Sequence, residues 1–496
     1  MKGALKSRFD FLFRSTKGLV LVAIASISIV TLMFGMLSGP MEAFGIKAWM
    51  VDNLGLRLVP KEREGRILML YHSIAQAVIA IEVYLITHYV PMRRRQRSSI
   101  NATITVGYLL TLVFGLVFGY FGRNFLAHGV AISGMVIVFA SGVMLTVALW
   151  PWSSHYLITD PELSRTRGGL DLERVAFFLM ALATLGSALF GAAAGMNFGN
   201  GFQTFLTEDT IREPVKTPLQ LAVIGHLHIM LTLIAVALTL ILGRAYGFRG
   251  RLHKVAMPLM IVGTLIITGG VWSVVVTPMA HVIINVGSMP VLAASLLLVW
   301  FGWRQQSRRY VAGRELAEPT RWQRFVGIIH DPLRFGTLFQ MVYMNVVVTA
   351  VGIFMAVNLR TIIREWTSRD ERITLTGHWH VLSGIIATII LLHYADMMNL
   401  RGRARQILGW SVLFFSNLAF SAVALYETKR LYVSELQEQP LIDGVMLLTD
   451  IGLAMVLTAL GVLMAWRLVD LFRSRGTWSR ELAQDPPPPS EEEVRS

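Results

Sequence analysis

The chain reads as an all-α polytopic membrane protein with twelve transmembrane helices, and three observations predict it. Hydrophobic residues make up 54% of its 496 residues and charged ones only 15%. Several uncharged runs reach the 18 or so residues that a hydrocarbon core about 30 Å thick demands of a helix. The arginines and lysines behind the net charge of +14 cluster in short connections, which marks cytoplasmic loops rather than a nucleic-acid surface. Cysteine is absent, so disulfides, thiolate metal sites, iron–sulfur clusters and thioether-linked haem are excluded within this chain, and any redox centre must hang on histidine.

The basic residues Lys2, Lys6, Arg8, Arg14 and Lys17 precede the first run, 18–37. Its length and the poor cleavage site at Gly39-Pro40-Met41-Glu42 favour a retained helix over a signal peptide. A polar loop is expected over 46–66, then a second helix over 67–90, ended by Arg93-Arg94-Arg95-Gln96-Arg97. Helices three and four cover 104–121 and 130–150, joined by a turn with Gly122-Arg123-Asn124, and the fifth covers 175–196. After a charged loop with Glu208, Asp209, Arg212 and Glu213, the sixth starts past Pro218 and ends near Leu242, before Arg244, Arg249, Arg251 and Lys254. The seventh and eighth span 255–276 and 282–303, broken at Thr277-Pro278; a basic cytoplasmic segment follows over 304–324. The ninth covers 336–359, the tenth runs to about Met398 before Arg401, Arg403 and Arg405, and the last two cover 407–426 and 445–471. Residues 1–475 form one transmembrane domain on this reading. The tail 476–496, with Pro486-Pro487-Pro488-Pro489 and Glu491 to Glu493, is expected to be a disordered cytoplasmic extension. Twelve spans place both termini inside.

Histidines near the start of the second, sixth and tenth helices share one depth. His72 lies six residues past Arg66, His226 ten past Lys216 and His378 six past Arg372. His228 to His380 is 152 residues and His72 to His226 is 154, an interval that holds four helices. Ionisable side chains at membrane depth are costly and mark sites by default. His226/His228 and His378/His380 are pairs at i and i+2, so their side chains diverge by roughly 200° on a regular helix. Each pair therefore suits two different flat partners better than one small ion. Haem is favoured over zinc, because carboxylates and thiolates are missing from this level and a bare dication in an apolar setting needs compensating charge.

His378-Trp379-His380-Val381-Leu382-Ser383-Gly384 resembles the tenth helix of the haem–copper oxidase and nitric oxide reductase superfamily, whose catalytic subunit has twelve helices in a pseudo-threefold arrangement. The resemblance implies two b-type haems: His378 as ligand to a high-spin catalytic haem, His72 and His380 clasping a low-spin haem, and Lys429 and Arg430 meeting haem propionates. It also implies that His226, with His228 and His281 as the other candidates, holds a second metal, copper or non-haem iron. The expected setting is a bacterial cytoplasmic membrane, with membrane lipid around the chain, a c-type cytochrome or other redox subunit as partner, quinol as a further donor, and no nucleic acid. The sequence departs from the family at the seventh helix, where only His281 stands in place of two adjacent histidines, and at Met230, where oxidases have a tyrosine and reductases often a glutamate. Glu82, Asp396 and Asp450 are the notable intramembrane acids, too few for an obvious proton path.

A competing reading pairs His72 with His380 and His88 with His393, 16 and 13 residues further along their helices, or roughly 20–24 Å. That is a two-haem wire, the arrangement of a non-catalytic b-type cytochrome subunit passing electrons between quinol and a periplasmic partner. A transporter is disfavoured, since the polar residues in the spans are histidines at one depth rather than a path of acids and broken helices.

Overall fold

The computed structural model describes residues 2–37, 44–59, 62–122, 124–197, 216–359, 361–398, 400–434, 438–473 and 476–484. The connection at 39–42, Arg123, the loop carrying Glu208, Asp209, Arg212 and Glu213, and the stretch from Pro486 to Glu493 lie outside them. The described chain is helical apart from turns and one isolated bridge between Arg165 and Asp171. In chain order the helices are α1 (Lys2–Arg14), α2 (Thr16–Leu37), α3 (Ile46–Leu54), α4 (Arg63–Tyr89), α5 (Arg94–Tyr120), α6 (Phe125–Ala148), α7 (Leu172–Asn197), α8 (Pro218–Tyr246) and α9 (Arg251–Trp272). They continue with α10 (Ala280–Gly313), α11 (Arg321–Ile329), α12 (Pro332–Val342), α13 (Thr349–Asn358), α14 (Ser368–Met397), α15 (Gly402–Glu427), α16 (Glu438–Phe472) and α17 (Thr477–Gln484). Among the described residues twelve spans are long and apolar enough to cross a membrane: α2, α4 to α10, α12 with α13, and α14 to α16. The protein is thus a multi-pass, all-α membrane protein, because only a helix satisfies its own backbone hydrogen bonds inside lipid.

The arrangement recurs every four spans. Among the most extensive helix contacts are the hairpins α5/α6, α9/α10 and α15/α16, spans 3–4, 7–8 and 11–12. Small residues let the backbones touch there. A Cβ on Gly107 would sit 3.0 Å from the Gly134 carbonyl, one on Gly263 2.9 Å from that of Gly287, and one on Gly452 2.7 Å from that of Phe415.

A polar latch also recurs, each time tying the start of one span to the end of the next and the start of the third. In the first, Thr16 Oγ1 lies 3.2 Å from His88 Nδ1 and accepts from Arg97 at 2.9 Å. In the second, Arg244 pairs with Asp171 at 3.2 Å and Glu173 at 2.9 Å, while His253 lies 3.5 Å from Glu173. In the third, Arg405 bridges Asp331 at 2.7 Å and Asp396 at 2.5 Å, with Arg334 on Asp396 at 3.0 Å. The latches close the ends of α4, α8 and α14 opposite to His72, His226 and His378, so each histidine-bearing helix is fixed in depth and rotation.

Several elements differ from the sequence reading. The expected loop over 46–66 contains α3, with Met50 buried. The basic segment after 303 stays helical to Gly313 and then forms α11. Span 9 is interrupted by a π-helical stretch, Tyr343–Val348, and such bulges concentrate at functional sites. Residues 477–484 are helical rather than disordered: Trp478 is buried, Arg467 donates to Glu481 at 2.7 Å, and Trp478 lies 6.2 Å from the Phe11 ring, so the two terminal segments pack on one another.

Candidate functional site

The histidines of α4, α8 and α14 share a local device. A carbonyl oxygen can only accept, so a ring nitrogen facing one must carry the proton. Nδ1 donates to Leu68 O at 2.8 Å in His72, to Ser187 O at 2.8 Å in His226, to Ile224 O at 2.8 Å in His228 and to Thr376 O at 2.7 Å in His380. In three of the four the acceptor lies one turn back on the same helix. Each neutral ring is thereby fixed with its lone pair on Nε2, directed away from the supporting backbone. A metal-ligating histidine is normally held in this way.

The two members of each i, i+2 pair do diverge. On α8, His226 turns to α7 and α4. Its ring lies 6.4 Å from that of His72, with the planes 13° apart, and it packs so closely on α7 that a Cβ on Gly191 would overlap it. His228 turns to α14, where Trp379 Nε1 donates to its Nε2 at 3.3 Å. It also lies within electrostatic range of His378 and of His281 at the start of α10. His228 keeps exposed ring surface. Tyr71, 44% exposed, borders the same level and donates to His380 Nε2 at 2.5 Å. Helices α4 and α14 meet there through long side chains rather than through close backbones.

These placements bear on the expected sets. His72 lies beside His226, and His380 meets α4 through Tyr71, one residue earlier. His226, His228 and His281 do not converge, because the first two leave α8 on opposite sides; among the described residues no three His, Asp or Glu side chains gather to hold a metal. At the opposite end, His88 Nδ1 lies 3.2 Å from Thr16 Oγ1 and His393 Nε2 lies 3.3 Å from the Tyr89 hydroxyl, with His88 and His393 within electrostatic range of one another. Lys429 and Arg430 are not in a solvated loop. Lys429 is 4% exposed; it donates to Asp370, and Arg430 Nε donates to Asp370 at 2.7 Å and pairs with Glu438 at 2.9 Å.

His378 is built differently. It lines a narrow pocket with Tyr343, Val347, Val351, Ala424 and Glu427, with about 10 Å³ of free space, room for one water molecule. A Cβ on Gly352 of α13 would sit 3.1 Å from His378 Cε1 and 3.2 Å from Nε2, so only a residue without a side chain lets this ring edge face α13. Its Nδ1 is buried with no hydrogen-bond partner, and so is Oε1 of Glu427. Glu427 is 3% exposed and lies so close to the α14 backbone that a Cβ on Gly377 would strike its carboxyl group. Sequence reasoning missed Glu427 and Asp370. Both stand where an apolar run meets charged residues, and there a buried acid has the same pattern as a loop acid.

No protein-family model matches the chain, and no curated protein matches it. Fold and site together define a multi-pass membrane protein with a layer of tautomer-fixed imidazoles near one end of its bundle.

Proposed function

We propose that the chain is a membrane haem protein of a respiratory electron-transfer chain, similar in plan to the catalytic subunits of the haem–copper oxidase and nitric oxide reductase superfamily, and an oxidoreductase that delivers electrons to a small molecule beside His378. The observation that carries the reading is the layer itself: His72, His226, His228 and His380, on helices four spans apart, each carry the lone pair on Nε2 of a ring locked by a backbone carbonyl, and in His72 and His226 that nitrogen accepts from no other side chain among the described residues. Neutral imidazoles of this kind are the protein's part of a b-type haem site, the porphyrin supplying the remaining ligands. The four-span recurrence of hairpins and latches supports the same plan.

When bound, haem would supply a one-electron iron couple and, at an open position, a site for a diatomic molecule. The chain's own residues do the rest. His378 is the candidate ligand at the open site. Glu427, in the same pocket, is placed to hold or release a proton. The aliphatic wall of Val347, Val351 and Ala424 limits water to about one molecule. Arg93 to Arg97, Arg249 to Lys254 and Arg401 to Arg405 all lie at the latch end, and the positive-inside rule puts that end in the cytoplasm of a bacterial inner membrane. The histidine layer then faces the periplasmic side, within reach of a c-type cytochrome or other redox subunit, with quinol as an alternative donor from the lipid.

A second reading, a non-catalytic b-type cytochrome, is favoured by His393, which is 3% exposed with Nδ1 unpartnered. Carbon monoxide separates the two. Added to the reduced protein, it shifts part of the haem spectrum if His378 leaves one iron face open, and His378→Ala removes the shift. Haem with no carbon monoxide response makes the cytochrome reading the right one.

A further inference from the structure

We propose that His72 and His226 are the two trans ligands of one metal ion that bridges α4 and α8. The inference rests on the reading of this level as a metal or haem layer, and it assigns His72 a partner other than His380.

Distance and angle carry it. Imidazole nitrogens bind first-row metals at about 2.0–2.1 Å, so two trans Nε2 atoms stand roughly 4 Å apart, and ring centres set back by a further ångström or so on each side fall roughly 6 Å apart. The His72 and His226 centroids are 6.4 Å apart and their planes differ by 13°. Parallel imidazoles in direct face contact would lie at roughly 3.5–4 Å; these two stand further apart, at the separation that two imidazoles on either side of one ion take.

The hydrogen bonds agree. Both Nδ1 atoms are spent on backbone carbonyls, Leu68 O on α4 and Ser187 O on α7, each at 2.8 Å. These anchor one ring on α4 and the other on α7 and leave both lone pairs on Nε2. Among the described residues neither Nε2 has a hydrogen-bond partner. The other two candidates for His72 are engaged: Nε2 of His380 accepts from Tyr71 and Nε2 of His228 from Trp379. Gly191 completes the arrangement, since any side chain there would push the His226 ring off its position.

Two trans imidazoles complete the coordination of a haem iron, and they also suit a cuprous ion in linear geometry. The shared chemistry is a metal between two neutral imidazoles, and the test distinguishes the two sources. Wild type, His72→Ala, His226→Ala and His380→Ala are purified in detergent, checked for monodispersity, and assayed for haem and copper per chain and for the electron paramagnetic resonance of low-spin bis-imidazole iron. Loss of that signal in the His72 and His226 variants, with retention in the His380 variant, supports the proposal with haem iron as the ion. An unchanged iron signal with one equivalent of copper lost from both the His72 and His226 variants supports it with copper. A signal that needs His72 and His380 but survives His226→Ala overturns the pairing and leaves the haem reading intact. Wild type containing neither haem nor copper overturns both. His226→Gln guards against misfolding: it keeps the bulk of the ring and an Ser187 contact, so a monodisperse Gln variant that retains the metal signal in full also overturns the pairing.

Discussion

Replacing Asp370 with alanine tests the scaffold on which His378 stands. Asp370 lies two turns before His378 on α14, about 12 Å along the axis, and is 6% exposed. It accepts from Lys429, from Arg430 at 2.7 Å and from Thr367 Oγ1 at 2.8 Å. Removing one member of a buried ion cluster leaves the rest uncompensated, which typically costs about 3–5 kcal/mol. Glu438 remains, 2.9 Å from Arg430 and 3.9 Å from Lys429, so the loss belongs at the lower end, about 3 kcal/mol. That is roughly a 150-fold fall in the folded-to-unfolded ratio. The assay is reversible unfolding by SDS in mixed micelles, followed by circular dichroism, with Asp370→Asn as the shape-preserving control. Most of the loss should appear in the Asn variant too, because charge rather than volume is removed. A change below about 1 kcal/mol in both, the scale of an exposed pair, would refute the buried cluster.

Other substitutions probe separate links. Glu427→Gln preserves shape and should leave unfolding within about 1 kcal/mol of wild type, yet displace the carbon monoxide band at His378, because it removes an ionisable group from that pocket; an unchanged band would remove Glu427 from the site. Gly352→Ala places a methyl 3.1 Å from His378 Cε1 and should cost about 1–3 kcal/mol by overpacking, with a displaced carbon monoxide band; an unaltered band and stability would show that α13 does not confine the ring. Arg405→Gln opens the third latch and should destabilise by about 2–3 kcal/mol, less than a fully buried pair because Arg334 stays on Asp396 at 3.0 Å. Deleting residues from 477 onward strips Glu481 from Arg467, which is 1% exposed, and should lower stability by about 3 kcal/mol; a truncated chain as stable as the full one would show that α17 contributes nothing.

The spans were legible because lipid imposes a length and a composition on any helix that crosses it. Their true ends were not. α10 has 34 residues and α16 has 35, since hydropathy reports where the membrane stops, whereas the hydrogen-bond ladder continues into water. The divergence of His226 from His228 followed from helix geometry alone, and the structure has it. The neighbour each ring meets did not follow. Helix rotation is set by contacts such as Gly107 on Gly134 and by the latches, which join residues up to 81 positions apart in the chain and leave no local periodicity. The π-helical turn at Tyr343–Val348 left no sequence signal, and the buried acids Asp370 and Glu427 were hidden by their charged neighbours.

The most direct test of the central claim is haem per polypeptide in the purified wild-type chain, by pyridine haemochrome against quantitative amino-acid analysis. The account predicts about two b-type haems per chain, bound without covalent attachment because cysteine is absent. A monodisperse, helical chain from a haem-replete membrane that carries no haem would contradict it.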